Sequence, residues 1–158
     1  MLNNYRIIST ANEEEKLLTE LPDDLKGQIF IKAFGKVVEK VKFLKDCESN
    51  EFVWATIQLA KERKFIQNEI IYQRGDVGDS FYMIYEGRVT LQAHNEQPII
   101  QYDDGQLVGD SDALMELPRD CKAYANYKVT VLYQIKMDQM DDVLKNFPDE
   151  HYEMLKAA

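Results

Sequence analysis

The sequence predicts an α+β fold: N-terminal helices, an antiparallel β-roll of the small jelly-roll kind, then C-terminal helices. Three observations lead there. Apolar residues before Lys64 recur at three- and four-residue steps, the helical period. From Lys64 onward, five of the seven glycines (Gly75, Gly78, Gly87, Gly105, Gly109) punctuate short β-rich runs. After Met137 the helical period returns. Several short strands at close, regular spacing favour a barrel or roll over an open sheet.

The elements follow in order. Thr10-Ala11-Asn12-Glu13 fits a capping box, in which Thr10 accepts a backbone N–H and Glu13 returns the bond. Leu17, Leu18 and Leu21 form a short apolar face, and Pro22 ends that helix and can open the next. Leu25, Ile29, Ala33, Val37, Val38 and Val41 mark the second helix, with Lys26, Lys32, Lys36 and Lys40 largely on its other side. A third helix is expected from Asn50 to Lys61 with Ser49 as its cap. It turns Phe52, Val53, Ile57 and Ala60 to one face, with Leu59 at the edge.

Candidate strands are Phe65-Ile66, Glu69 to Gln73, Phe81 to Tyr85, Arg88 to Ala93, Pro98 to Tyr102, Cys121 to Asn126 and Val129 to Lys136. In the last, Val129, Val131, Tyr133 and Ile135 alternate with Thr130 and Gln134, the period of a half-buried strand. Glu86-Gly87 and Asp103-Asp104-Gly105 read as tight turns in which glycine takes a positive φ. Phe81, Tyr82, Tyr85, Tyr124, Tyr127 and Tyr133 read as core and roll packing. Met137 to Asn146 is helical, Pro148 interrupts, and Asp149 to Ala158 starts a last helix.

Composition excludes several function classes. The 158 residues hold 19 basic and 28 acidic side chains, a net charge of −9, which argues against a nucleic-acid or anionic-lipid surface as main partner. The length suits one domain with a helical appendage. No apolar run approaches the ~20 residues of a membrane span, and no signal peptide is visible. Cys47 and Cys121 are too few and too distant for a disulfide framework or zinc site, and read as small thiols in a reducing compartment. His94 and His151, the only histidines, have no metal-ligand spacing. No nucleophile–base pair is in view. Asp110 with Asp112, or Asp76 with Asp79, reads as solvated turn acids rather than a catalytic pair. The chain is therefore expected not to be an enzyme, with no catalytic residue, no metal and no cofactor.

The informative segment runs Gly105-Gln106-Leu107-Val108-Gly109-Asp110-Ser111-Asp112-Ala113-Leu114-Met115-Glu116-Leu117-Pro118-Arg119-Asp120-Cys121-Lys122-Ala123. It resembles the phosphate-binding cassette of cyclic nucleotide-binding domains, which pairs a Gly-acid opening with a one-turn helix and then an arginine. Gly75-Asp76-Val77-Gly78-Asp79-Ser80-Phe81-Tyr82-Met83-Ile84-Tyr85-Glu86-Gly87 is similar to the family's first β-roll hairpin. The resemblance covers about Phe43 to the C-terminus and implies a short helix inside the roll. It also implies a ligand, cAMP or cGMP, and a ligand-binding set of Gly109, Asp110, Ser111, Arg119, Asp120 and Cys121.

The physical chemistry suits that ligand. Backbone N–H groups at the start of a helix after Gly109 would face an anion, and Gly109 permits close approach. Arg119 offers a planar fork to two phosphate oxygens at any working pH. By the resemblance, Arg119 is the phosphate ligand and Asp110 the ribose ligand. Two departures stand out. Asp110 is one methylene shorter than the family's usual Glu. Asp120 replaces a small or hydroxylated residue, and a carboxylate about 5 Å from the phosphate would cost about 3 kcal/mol at an effective dielectric of ~20. That is about two decades of affinity, unless Asp120 turns to solvent or pairs with Lys122.

The leading segment, Lys16 to Ile29 with Val37 to Leu44 after it, resembles the latter half of the C-linker of hyperpolarisation-activated, cyclic nucleotide-gated and ether-à-go-go channels. The implied division is residues 1–45 as partial C-linker helices and residues 46–158 as the cyclic nucleotide-binding domain. This places the chain on the cytoplasmic face of a membrane, within an integral, voltage-gated-type cation channel, with potassium the expected ion. The rest of the channel is a partner and the whole assembles as a homotetramer, whereas half a C-linker can leave this piece monomeric. In the family the last helix closes over the base. Here His151, Tyr152, Met154 and Leu155 would form its opening face, with the base-touching residues beyond Ala158. A helix-turn-helix and basic face after the roll, as in a transcription activator, are not seen. Two readings stay open: a cyclic-nucleotide sensor coupled to gating, or a nucleotide-independent homology domain serving assembly and coupling.

Overall fold

The computed structural model describes residues 34–157. The expected helices before residue 34, with their capping box at Thr10–Glu13, lie outside the described residues. A helix α1 covers 34–40, Val41 is extended, and α2 spans Lys42–Lys45. The apolar stripe that reads as continuous through Val41 is therefore broken there, although Val37 and Val41 are both buried as expected. Lys42 begins a new turn because its N–H donates outward, to the Gly105 carbonyl at 3.0 Å, instead of back along a helix.

Helix α3 spans Asn50–Ile57, and its Ser49 cap accepts from the Phe52 N–H at 3.2 Å. It ends four residues earlier than its sequence pattern suggests. Strand β1, Lys61–Ile66, takes over instead, paired antiparallel with β8 from Lys61↔Gln134 to Ile66↔Val129. A full ladder of pairings to a central strand fixes Lys61 onward as strand and outweighs the strong helical preference of Leu59 and Ala60 just before it. The change of element type thus falls at Lys61 rather than Lys64.

Strands β2 (Ile70–Tyr72), β3 (Ser80–Glu86), β4 (Arg88–Gln92), β5 (Pro98–Asp103), β6 (Leu107–Val108), β7 (Lys122–Ala125) and β8 (Val129–Lys136) complete the roll. Helix α4, Asp110–Leu114, lies between β6 and β7, and α5 (Met137–Lys145) and α6 (Pro148–Ala157) follow β8. The eight strands form two antiparallel sheets, β1-β8-β3-β6 and β2-β7-β4-β5. This is the α+β roll with an internal short helix. Gly87 and Gly105 take positive φ at the two expected turns. Strand β6, absent from the sequence reading, is only two residues long and is held by Tyr82↔Val108 and Met83↔Leu107.

Tyr72, Tyr82, Ile84, Val89, Val108, Ala123, Ala125 and Leu132 fill the space between the sheets. Every residue of β3 from Ser80 to Ile84 is buried, which requires cover on both faces. Leu44, Phe52, Ile57, Met140 and Leu144 form the buried helical layer, with Phe43 and Phe147 edge-on to Phe52 at 5.9 and 5.3 Å. Of the aromatic set read as packing, Tyr127 is the exception. It is exposed, with the Arg88 guanidinium 5.8 Å from its ring. Cys47 and Cys121 are free, half-buried thiols.

Candidate functional site

The two segments singled out in the sequence are joined by hydrogen bonds. Arg119 N–H donates to the Asp76 carbonyl and Gly75 N–H to the Arg119 carbonyl, both at 2.8 Å, while Val77 and Pro118 form an isolated bridge. The loop before β3 therefore holds the chain on which Arg119 sits. On the other side, β6 leads into Gly109, whose left-handed backbone (φ 76°, ψ 8°) turns the chain into α4.

Between these anchors the Arg119 side chain points inward and is 3% exposed. Its Nη1 donates to the Gly109 carbonyl at 2.7 Å and its Nη2 to the Ser80 carbonyl. The guanidinium lies 4.3 Å from the centroid of the Tyr72 ring, and Asp112 Oδ2 is 3.8 Å from Nη1. Nε is buried without a partner. A desolvated cation needs such company: two carbonyl dipoles, an aromatic face and a carboxylate share the charge.

The other expected ligand residues surround it unevenly. Asp110 is half-buried, and its carboxylate accepts from its own backbone N–H and that of Ser111. Burial pushes its pKa up against those hydrogen bonds and the Arg119 charge. The helix N–H groups expected to meet an anion are thus engaged by Asp110 itself. Ser111 is exposed. Asp120 is exposed as well, the solvent-facing arrangement of the two considered. Burial, and after it the Asp120 and Asp112 charges, push the Cys121 thiol up.

Three residues enter the site without being singled out as ligands. Asp112, expected to be a solvated acid, keeps only 22% of its side chain exposed and faces Arg119. Burial raises its pKa more than Arg119 lowers it, and its carboxylate also accepts from the Asp120 N–H. Tyr72 stacks near Tyr82 with ring centroids 6.4 Å apart, and burial raises both phenols. Ser80 supplies a backbone carbonyl, which no side-chain signal could reveal. Among the described residues, no group of three or more His, Cys, Asp or Glu could hold a metal ion, and no helix is long and apolar enough to cross a membrane.

Comparison with known proteins bears on this geometry. Over 105 residues, 65% of this chain, it is 30% identical to the cyclic nucleotide-gated channel cone photoreceptor subunit alpha of Gallus gallus. It is 29% identical over 103 residues to cyclic nucleotide-gated channel alpha-3 of Homo sapiens, and 30% identical over 81 residues to the cyclic nucleotide-gated cation channel of Ictalurus punctatus. These matches span 14%, 15% and 12% of the three relatives, so the chain corresponds to a small part of each. The family model of the cyclic nucleotide-binding domain matches residues 62–147, which run from β1 through α5 and include the whole Gly109–Arg119 site. More than half of the chain lies in that match, and the chain belongs to the cyclic nucleotide-binding domain family.

Proposed function

We propose that this chain is the ligand-sensing part of a cation channel, binding cAMP or cGMP in its roll and passing the binding energy to the pore. Residues 1–45 are assigned as partial C-linker and residues 46–158 as the nucleotide domain, on the cytoplasmic face of a membrane within a homotetrameric channel. Potassium is the expected ion. The role is binding and coupling rather than catalysis. Arg119 is the phosphate anchor, Gly109 and Ser111 line the phosphate, Asp110 takes the ribose, and Asp120 and Cys121 flank it.

The observation that carries this reading is the buried Arg119 fork beside Gly109 with Nε unpartnered. A guanidinium taken out of water and left with a donor in reserve is suited to an anion. Because Arg119 is enclosed, a nucleotide reaches it only if α4 and the 119–121 segment move. Such motion can bias a gate, since only a difference in affinity between two states shifts an equilibrium. A second reading, the nucleotide-independent module, is favoured by the same enclosure: Gly109, Ser80 and Asp112 already satisfy most of the arginine.

Calorimetric titration with cAMP and then cGMP at two salt concentrations separates the two, with Arg119→Ala and the milder Arg119→Gln alongside. The sensor gives saturable micromolar binding that both variants weaken about a hundred-fold, the equivalent of losing charge-assisted hydrogen bonds. Absence of heat and of thermal stabilisation at millimolar nucleotide would overturn the sensor and favour the module instead.

A further inference from the structure

We propose that Asp112 is a resident competitor for the ligand phosphate: its carboxylate pairs with the Arg119 charge in the free domain and sets the nucleotide affinity low. The inference rests on the reading of Arg119 as phosphate anchor and concerns a residue that reading does not use.

Asp112 lies in the middle of α4, one turn from Gly109, and its Oδ2 is 3.8 Å from Nη1 of Arg119. That nitrogen belongs to the fork a cyclic phosphate would use, and Asp112 is the only carboxylate that forms an ion pair with Arg119 among the described residues. Its neighbour Asp110 folds onto the backbone N–H groups of residues 110 and 111, the second set of donors available to a phosphate. The backbone donors of the site are therefore taken by Asp110, while the Arg119 fork, hydrogen-bonded to the Gly109 and Ser80 carbonyls, has its charge countered by Asp112. With Asp110 and Asp112 beside one arginine, a further negative charge enters a site already in anionic excess.

Displacement has a structural consequence as well. Asp112 also accepts from the Asp120 N–H, and its Cβ lies against Gly78, where an added Cβ would come within 3.2 Å of it. Releasing Arg119 thus requires Asp112 to move relative to residues 78 and 120, or to become protonated. Asp112 is in this sense a specificity element: a ligand lacking a strong anionic group gains nothing by displacing it.

The test compares wild type with Asp112→Asn, which keeps shape and an acceptor for the Asp120 N–H while removing the charge. Asp112→Ser serves as second variant should the first lower the melting temperature. Glu116→Gln removes the same charge at an exposed turn and controls for net charge. Titration with cAMP is expected to show about ten-fold tighter binding for both Asp112 variants and a change below about two-fold for Glu116→Gln, on the scale of 1.4 kcal/mol per decade. Equal or weaker binding by the Asp112 variants, with wild type binding normally, overturns this inference and leaves the nucleotide reading intact. Equal tightening by Glu116→Gln overturns it too, because general charge would then explain the gain. If neither wild type nor variant binds at millimolar nucleotide, the nucleotide reading itself fails and the competitor role falls with it.

Discussion

Arg119 Nη1 donates to the carbonyl of Gly109 at 2.7 Å, and a Cβ on residue 109 would stand 2.6 Å from that same nitrogen. The close approach leaves no room for a side chain, and the left-handed φ of 76° adds backbone strain for any L-residue. Gly109→Ala is therefore expected to lower stability by about 2 kcal/mol or more, combining roughly 1–2 kcal/mol of backbone strain with displacement of the arginine. Urea denaturation measures it, and a change below a few tenths of a kcal/mol would contradict the packing described.

Arg119 holds the ends of its segment together as well as facing the site. Arg119→Ala leaves the Ser80 carbonyl without its side-chain donor, uncovers Tyr72 and removes the counter-charge of Asp112. The cost expected is about 3 kcal/mol, the range for breaking a buried charged pair. Because Arg119→Ala leaves the Asp112 carboxylate without its counter-charge, adding Asp112→Asn should recover more stability in that background than in wild type, so the pair costs clearly less than the sum of the separate effects. A double-mutant cycle in urea checks this, with strict additivity as the contrary outcome.

Asp110 and Asp112 give the free domain a pH dependence of definite sign. Burial raises both above their ordinary 3.8, against Arg119, and Asp120 adds to the rise at Asp112. A carboxyl raised in the folded state favours folding fully below its unfolded value and loses that contribution as pH rises through its folded value. Asp112→Asn, which mimics the protonated group, should thus exceed wild type in stability at neutral pH, with the gap closing as pH falls toward 3.8. Melting temperatures across that range test it, and a gap that widens on acidification would contradict the assignment.

Much of this site was legible beforehand, for a physical reason. Gly109 and Arg119 are hard to replace in kind, one for its backbone and one for its fork, and the resemblance of the segment that holds them to a phosphate-binding cassette pointed to an anion site. Asp112 escaped because an acid in a turn-rich stretch looks the same whether it faces water or a buried cation. Only the fold brings it against Arg119. The roll's strands were readable from alternation and glycines, whereas β6 was too short to carry a pattern. The end of α3 depended on β1 pairing with β8, a contact between residues about seventy positions apart.

The segment before α3 is tied to the turn that leads into the site. Lys42 N–H donates to the Gly105 carbonyl, Lys40 Nζ lies 3.6 Å from Asp104 and 4.7 Å from the Tyr85 ring centroid, and Asp104 accepts from the Gly87 N–H. Gly105 is packed so closely that an added Cβ would lie 2.5 Å from the Lys40 carbonyl, at a φ of 87°. Gly105→Ala should speed hydrogen exchange at the Lys42 amide by at least about ten-fold, equivalent to roughly 1.4 kcal/mol of local stability. Unchanged protection there would mean that the turn does not hold this segment.

The central claim is that Arg119 is the group that meets the nucleotide. The most direct measurement is the side-chain Nε–H signal of Arg119 in a nitrogen–proton correlation spectrum, assigned with Arg119→Lys and followed through a cAMP titration. The account predicts a saturable shift of that signal in step with the Ser111 amide, as the unpartnered Nε gains an acceptor. Calorimetric binding with the Arg119 signal unmoved, or no response in either observable, would contradict it.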